Sequence, residues 1–293
     1  MANELSDWSS QLAAVVARSA PSVVAVHARP RFSSSGVFWR PGIVVTAAHT
    51  IRDEEEIQVT LPDGSNATAF LVGRDPGTEV AVLRVEGVAE FPTPRRATVP
   101  SVGNLLLVVG RSKDSGVNAS MGIVSAVSGS WRTWRGGRLD HYIRLDVTLY
   151  PGSSGAVAVN VDGEAIGIVT SALSRIAGVA IPAATIDRVV EEIVTRGRVA
   201  RAYLGVGLQP VELPDHQKGL IVLSVEPGGP AAQAGVLIGD VLVSLNGKSA
   251  ADTDDVQSVL ESHGIGQAVE AGLLRGGVAA KVAITTAERP RRS

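Results

Sequence analysis

The sequence predicts a mainly β protein, a β-barrel domain followed by a small mixed α+β domain. Three observations carry that prediction. Apolar residues make up 45% of the 293-residue chain but aromatic ones only 4%, and the valine- and alanine-rich runs are short and separated by many of the 32 glycines. Such punctuation favours strands over helices. About a dozen of these runs precede one helical stripe late in the first part, the pattern of an all-β barrel. The pattern then restarts past residues 198–201, and the length leaves room for two cores.

The elements follow in order. Residues 4–18 form a short amphipathic helix with Leu5, Trp8, Leu12, Val15 and Val16 near one face, read as packing on the domain or as an oligomer contact. Pro21 ends it, and Val23-Val24-Ala25-Val26 begins the first strand. Ser33-Ser34-Ser35-Gly36 reads as a loop leading to Val37-Phe38-Trp39, and Ile43-Val44-Val45-Thr46 is a strand after the turn at Arg40-Pro41-Gly42. Asp53-Glu54-Glu55-Glu56 reads as a solvated acidic turn. The runs starting at Ile57 and Ala67 flank Pro62-Asp63-Gly64 as a hairpin. The strand from Thr78 to Val85 is apolar on both faces. Residues 86–104 are proline-rich and irregular, and strands follow at Leu105 to Val109, Gly122 to Val127 and Tyr142 to Asp146. Between the last two, Arg132, Trp134, Arg135 and Arg138 sit in a glycine-rich setting. Arginine beside tryptophan suits single-stranded nucleic acid, but one mobile loop accounts for it more simply. A hairpin at Val157-Ala158-Val159 and Ala165 to Val169 precedes Val179 to Pro182 and a helix from Ala183 to Thr195 closed by Gly197.

The second domain offers Tyr203-Leu204-Gly205-Val206 and a strand from Leu220 to Val225. A further strand from Val241 ends in an Asn246-Gly247 turn, and Asp252 or Thr253 caps a helix carrying Val256, Val259 and Leu260. Two short strands finish near Thr286. The organisation is thus residues 1–20 a helical segment, 21–197 the barrel domain, 198–202 a linker, 203–287 the small domain and 288–293 a basic tail.

Composition excludes several chemistries. The formal charge of −2 gives no reason to expect nucleic acid or an anionic membrane. There is no cysteine, which removes disulfides, thiolate catalysis and cysteine–zinc sites. No two histidines are close enough for a metal pair, and no glycine-rich phosphate loop with its lysine is present, so neither metal nor nucleotide cofactor is expected. The N-terminus lacks a basic n-region and no run suits a spanning helix, so the chain as written reads as soluble and without a signal peptide.

The chemistry-bearing stretch is Leu149-Tyr150-Pro151-Gly152-Ser153-Ser154-Gly155-Ala156, at the mouth of an apolar strand. Gly152 and Gly155 permit a tight turn that aims successive N–H groups beside the Ser154 hydroxyl, as acyl transfer requires. Ordinary turn chemistry also uses Gly-Ser-Ser-Gly. Thr46-Ala47-Ala48-His49 shifts the balance. Of His27, His49, His141, His216 and His263, only His49 follows a buried strand and two small alanines. Glu79 stands at the edge of an apolar strand and needs a partner, for which His49 is suited.

Five features in one order resemble the HtrA/Deg family of trypsin-like serine proteases with a C-terminal PDZ domain. They are Ile43 to His49; Gly73-Arg74-Asp75-Pro76 through Leu83; Gly122-Ile123-Val124-Ser125-Ala126; Pro151 to Gly155 with Asp162-Gly163-Glu164 and Val179 to Pro182; and Tyr203 to Val206 with Pro227 to Asn246. The resemblance implies a chymotrypsin-like double β-barrel protease domain followed by a PDZ domain, without cofactor. It implies Ser154 as nucleophile, His49 as general base, Glu79 as the third triad member, and the N–H groups of Gly152 and Ser154 as oxyanion hole. Leu149, Val169, Thr170 and Ser171 would wall an S1 pocket for small or aliphatic side chains of unfolded or extended polypeptide. Leu204, Gly205 and Val206 would bind a peptide C-terminal carboxylate. A homotrimer is implied too, as is work outside the cytoplasm or at a membrane.

The chain departs from the family pattern at the site. Glu79 replaces the usual aspartate, while Asp75 is discounted because the Pro-Gly turn after it should put it at the surface. Pro151 and Ser153 replace the usual arginine and asparagine, and Ala156 replaces a glycine, harmless only at negative φ. These changes keep open a rival reading, a silent pseudoprotease acting as a PDZ adaptor. An α/β-hydrolase esterase fails, because the serine is not in Gly-x-Ser-x-Gly and no βαβ alternation surrounds it.

Overall fold

The computed structural model describes residues 2–29, 33–52, 56–88, 90–174, 176–214 and 216–289. The acidic turn at 53–55 and the last four residues of the basic tail lie outside them. The chain forms two compact units, Met1–Val199 and Ala200–Ser293.

The first unit opens with helix α1 (Ala2–Ser19). Val15 is buried and Leu12 and Val16 pack beside it, but Leu5 and Trp8 are exposed, so only the C-terminal half of the predicted stripe is covered. Six strands then close a barrel: β1 (Val23–His27), β2 (Ser34–Arg40), β3 (Ile43–Ala47), β4 (Glu56–Thr60), β5 (Asn66–Asp75) and β6 (Val80–Val85), in the order β1-β2-β3-β6-β5-β4. Strand β2 starts earlier than the sequence suggested. Ser34 and Ser35 are paired with Val26 and Ala25, and the Ser35 hydroxyl finds buried partners that make a serine acceptable there.

Residues 86–104 cross irregularly to a second six-stranded closed barrel. Its strands are β7 (Leu105–Ser112), β8 (Gly116–Ser128), β11 (Tyr142–Asp146), β12 (Val157–Val159), β13 (Ala165–Thr170) and β14 (Gly178–Pro182). A small hairpin, β9 (Trp131–Arg132) with β10 (Arg138–Leu139), stands between β8 and β11. Helix α2 (Ala183–Arg196) ends at Gly197, whose φ of 73° is left-handed and whose N–H caps Ile193.

Period-2 alternation explains why the strands are apolar on both faces. Along β6, Ala81, Leu83 and Val85 fill the first barrel with Val24, Val44 and Ile57. Val80 and Val82 point the other way, into a cluster shared by both barrels and α2 that includes Val45, Val157, Ile168, Ile186 and Val189. Leu106, Val124, Ile143 and Leu145 fill the second barrel. Each such side chain contributes about 1.5–3 kcal/mol by leaving water.

The second unit contains a sheet in the order β16 (Val206–Glu212), β17 (Lys218–Val225), β18 (Val241–Leu245), β20 (Ala268–Arg275), β21 (Val278–Thr285), with β19 (Lys248–Ser249) beside β18. A short pair, β15 (Ala202–Tyr203) with β22 (Ala287–Glu288), frames it. Helix α3 (Pro230–Gln233) is one turn, and α4 (Thr253–His263) is capped by Asp252, whose carboxylate accepts from Asp254 N and Asp255 N in a capping box. Strand β16 and helix α3 were not foreseen. Val206, Leu208 and Val211 in β16 are interrupted by Gly207 and Pro210, and an edge strand tolerates proline where an inner one does not. Among the described residues no helix is long and apolar enough to cross a membrane.

Candidate active site

Strand β3 delivers His49. After Ala47 and Ala48 the chain makes a single 3-10 turn, Ala48–Thr50, held by Thr50 Oγ1 donating to Ala47 O at 2.7 Å. Arg29 donates to the His49 carbonyl, and Arg74 Nη1 donates to Ile51 O at 3.0 Å, which fixes the exit of the turn.

Glu79 lies just before β6. Its φ is +64°, a left-handed conformation uncommon for a residue with a side chain, and its carboxylate is fully buried. Its backbone carbonyl accepts from Ala48 N at 2.9 Å, which joins the turns carrying His49 and Glu79 directly. Oε2 lies 2.6 Å from His49 Nδ1, 3.4 Å from His49 N and 3.5 Å from Thr170 Oγ1. Oε1 accepts from Arg135 Nη1 at 2.9 Å. A buried carboxylate needs such partners to remain charged. The bond at Nδ1 leaves Nε2 of a neutral imidazole free to accept a proton.

Asp75 is not at the surface. It is 2% exposed, and its carboxylate accepts from Gly77 N, Thr78 N and Thr78 Oγ1, so it builds the turn that presents Glu79. The Pro-Gly turn folds back over the aspartate instead of carrying it outward.

The turn before Ser154 is specified by its residues. Ser153 N donates to Tyr150 O at 3.0 Å across Pro151 and Gly152, and Gly152 has φ +91°. That is a type II turn, with proline and glycine at their favoured positions. Gly155, at φ +87°, donates to Val169 O. Ser35 clamps the loop from the first barrel, its N–H donating to Ser154 O and its hydroxyl to Gly152 O. Among the described residues, no protein acceptor receives the N–H of Gly152 or of Ser154. Two donors beside one hydroxyl are therefore left for another oxygen. Ala156 is buried and does not have positive φ, so its methyl is tolerated.

Ser154 Oγ lies 3.4 Å from Ser171 Oγ, and Ser171 adjoins Thr170, which faces Glu79. No hydrogen bond joins Ser154 to His49 among the described residues, a contact that commonly tightens only with substrate. Leu149 is half-buried against the second barrel core that includes Val169, beside Gly178. The buried Thr170 hydroxyl lies 3.5 Å from Glu79 Oε2 and accepts from Ala172 N. The sequence reading missed Ser35, Thr170 and Arg135 as partners of this site. The residues expected to be one mobile loop form instead the β9–β10 hairpin, with Arg135 reaching inward.

In the second unit Leu204 O and Gly205 O are used by Ala231 N and Glu226 N, while the N–H groups of Leu204 and Gly205 have no protein acceptor among the described residues. They precede β16, an edge strand.

Comparison with known proteins agrees with this geometry. The trypsin-like peptidase domain family matches residues 34–168 and the PDZ domain family matches residues 202–286. The serine endoprotease DegS of Escherichia coli strain K12 is 32% identical over 266 residues, covering 80% of this chain and 74% of that protein. A probable periplasmic serine endoprotease, DegP-like, of Brucella suis is 32% identical over 286 residues, 90% of this chain and 54% of that protein, so the chain spans about half of its length. Among solved structures, the serine endoprotease from Yersinia pestis superposes with a TM-score of 0.79 at 32% identity, covering 94% of this chain and 97% of that one. The HtrA-type protease AlgW with decapeptide gives 0.80 at 26% identity, covering 96% and 99%.

Proposed function

The chain belongs to the HtrA/Deg family of trypsin-like serine endoproteases with a C-terminal PDZ domain, and on that premise we propose that it cleaves unfolded or extended polypeptides through an acyl-enzyme. The observation that carries this reading is the 2.6 Å bond between His49 Nδ1 and the buried Glu79, linked through Thr170 and Ser171 to a serine whose own N–H and that of Gly152 are unused. Ser154 Oγ attacks the scissile carbonyl while His49 Nε2 takes its proton. The N–H groups of Gly152 and Ser154 receive the developing oxyanion. His49 then protonates the leaving amine, and water, activated by the same imidazole, releases the acyl group from Ser154. Glu79 holds the imidazole in the required tautomer and stabilises its cation. Leu149, Val169, Thr170 and Ser171 bound the pocket for a small or aliphatic P1 side chain.

Residues 21–197 carry the peptidase, 198–202 the linker and 203–287 the PDZ domain. Leu204, Gly205 and Val206 take a peptide C-terminus, the peptide adding as a strand to β16. The resemblance supports a homotrimer, which light scattering on the full chain tests. The relatives, named as endoproteases, lend no support to a silent adaptor.

The test is labelling with a fluorophosphonate probe together with cleavage of unfolded casein, comparing the wild type with Ser154→Ala. Both activities should vanish in the variant. Failure of the folded wild type to label or cleave, with C-terminal peptides supplied, would overturn the reading.

A further inference from the structure

Arg135 is absent from the triad reasoning, yet it occupies one of the two oxygens of the triad acid. Glu79 is fully buried and divides its carboxylate, Oε2 toward His49 at 2.6 Å and Oε1 toward Arg135 Nη1 at 2.9 Å. The Arg135 side chain is one-third exposed, and its guanidinium lies over the Trp134 ring, 4.5 Å from its centroid. The hairpin that carries it is docked, not loose. Thr133 Oγ1 donates to Gly77 O at 2.7 Å and accepts from Gly137 N, and a Cβ on Gly137 would fall 2.1 Å from the Gly77 carbonyl carbon. The docking site is therefore the turn immediately before Glu79.

We propose that Arg135 is a positioning residue of the reaction, holding Oε1 of Glu79 so that Oε2 is aimed at His49. The inference rests on the endopeptidase reading and adds a requirement specific to this chain. Glutamate has one more torsion than aspartate, and its terminal torsion is broad and nearly free. Without Arg135 the carboxylate keeps only its Oε2 contacts, to His49 and at 3.5 Å to the Thr170 hydroxyl, and rotation about the terminal torsion could lengthen the bond that orients the imidazole. The contact is a single charge-assisted hydrogen bond from Arg135 Nη1 to Oε1, which a lysine ammonium of similar reach can also supply. Electrostatics alone predicts the opposite sign, since a second cation beside Glu79 opposes imidazolium formation. Positioning and charge effects therefore give different outcomes.

The experiment uses the full chain with Arg135→Met and Arg135→Lys, each also combined with Glu79→Asp. Positioning predicts that Arg135→Met lowers kcat about 10–100-fold, within the range by which misplaced catalytic groups slow reactions, with KM changed less than about threefold. Arg135→Lys should recover most of that loss. In the Glu79→Asp background the Arg135→Met penalty should shrink to within about threefold, because the shorter acid has one torsion fewer to hold. By proton NMR, the far-downfield His49 Nδ1–H signal should persist in Arg135→Lys and broaden or vanish in Arg135→Met. An unchanged or raised kcat in both single variants overturns the proposal, as does an equal Arg135→Met penalty with and without Glu79→Asp. If Arg135→Met does not fold, Arg135→Lys decides through kcat and the same signal, since a loss of both would exclude positioning by charge-assisted contact. If the wild type is not labelled by fluorophosphonate, the endopeptidase reading fails, while the NMR comparison still reports whether Arg135 aligns the Glu79–His49 pair.

Discussion

Gly152→Ala isolates the proposed oxyanion hole from the rest of the chemistry. In the type II turn over Pro151 and Gly152, residue 152 has φ +91°, and an added Cβ would lie 2.9 Å from Ser33 O. An L side chain in that left-handed region costs about 1–2 kcal/mol. The turn can escape by rotating the peptide between residues 151 and 152 into a type I turn, where the third residue has φ near −90°. That rotation carries the residue 152 N–H away from Ser154 and puts the Pro151 carbonyl on the side it left. If the two forms are otherwise balanced, 1–2 kcal/mol leaves about 3–20% of molecules in the competent form. The flipped form lacks one donor, which costs about 10²–10³ in kcat, so the residual activity tracks the competent fraction. Balanced forms leave half of the wild type competent, so the expected result is a fall in kcat of about 3–15-fold, with KM within about threefold, measured by steady-state cleavage of a casein-derived peptide. The close contact with Ser33 pushes toward the upper end. A folded Gly152→Ala variant with kcat within twofold of wild type would refute the assignment of this N–H to the hole.

Three other perturbations test neighbouring parts. Glu79→Gln keeps the carboxyl shape but can present the wrong hydrogen to His49 Nδ1, so kcat should fall about 10³–10⁴-fold in steady-state assays while the unfolding midpoint moves little. Gly155→Ala places a Cβ 2.1 Å from Ser35 O and 2.5 Å from Thr46 Oγ1 at φ +87°, and should cost about 2–3 kcal/mol in urea unfolding of the first unit. In the PDZ unit, hydrogen bonding from Arg275 holds the Asp240 carboxyl below its ordinary range, with Leu237 N adding to the effect. Because the folded value is depressed, the stabilisation is complete above the unfolded value near about 4. It is lost as pH falls through the folded value. The unfolding midpoint of this unit should therefore drop on acidification below about pH 4, and Asp240→Asn should lower it at neutral pH while flattening that acid dependence.

The barrels were legible because each strand buries both faces, leaving unbroken runs such as Val23 to Val26 and Val80 to Leu83 between glycine and proline turns. The second unit was less so, since edge strand β16 carries Gly207 and Pro210 and is half-buried on both faces. At the site, His49 and Ser154 stood out through their own neighbours in sequence, alanines before one and glycines around the other. The residues that hold them did not, because nothing local marks them. Ser35 reads as a flexible serine run until the second barrel's nucleophile loop lies across it. Arg135 is one of 27 basic residues, and only the closure of the hairpin onto Gly77 selects it as the partner of Glu79. The buried acid announced that a cation was needed, but not which. Asp75 was misread for the related reason that a Pro-Gly turn sets a direction only once its side-chain bonds to Gly77 and Thr78 are known.

The departures at the site are compensated where they occur, and this argues for retained catalysis. Glu79 is longer than the usual aspartate; its left-handed backbone starts the side chain from a different direction, and His49 and Arg135 hold its two oxygens separately. A strained φ at a residue with a Cβ costs about 1–3 kcal/mol and persists only where the surroundings impose it. Pro151 removes a donor, but that donor is outside the pair beside Ser154, and its fixed φ selects the turn that leaves Gly152 N–H unused. Ser153 lacks the side-chain amide of asparagine, yet its own N–H and carbonyl close the loop through Tyr150 and Ala156. Glu79 thus keeps the imidazole bond, and the turn through Pro151 and Ser153 keeps the N–H groups of Gly152 and Ser154 unused by the protein, so the requirements of acyl transfer are met at both ends of the site.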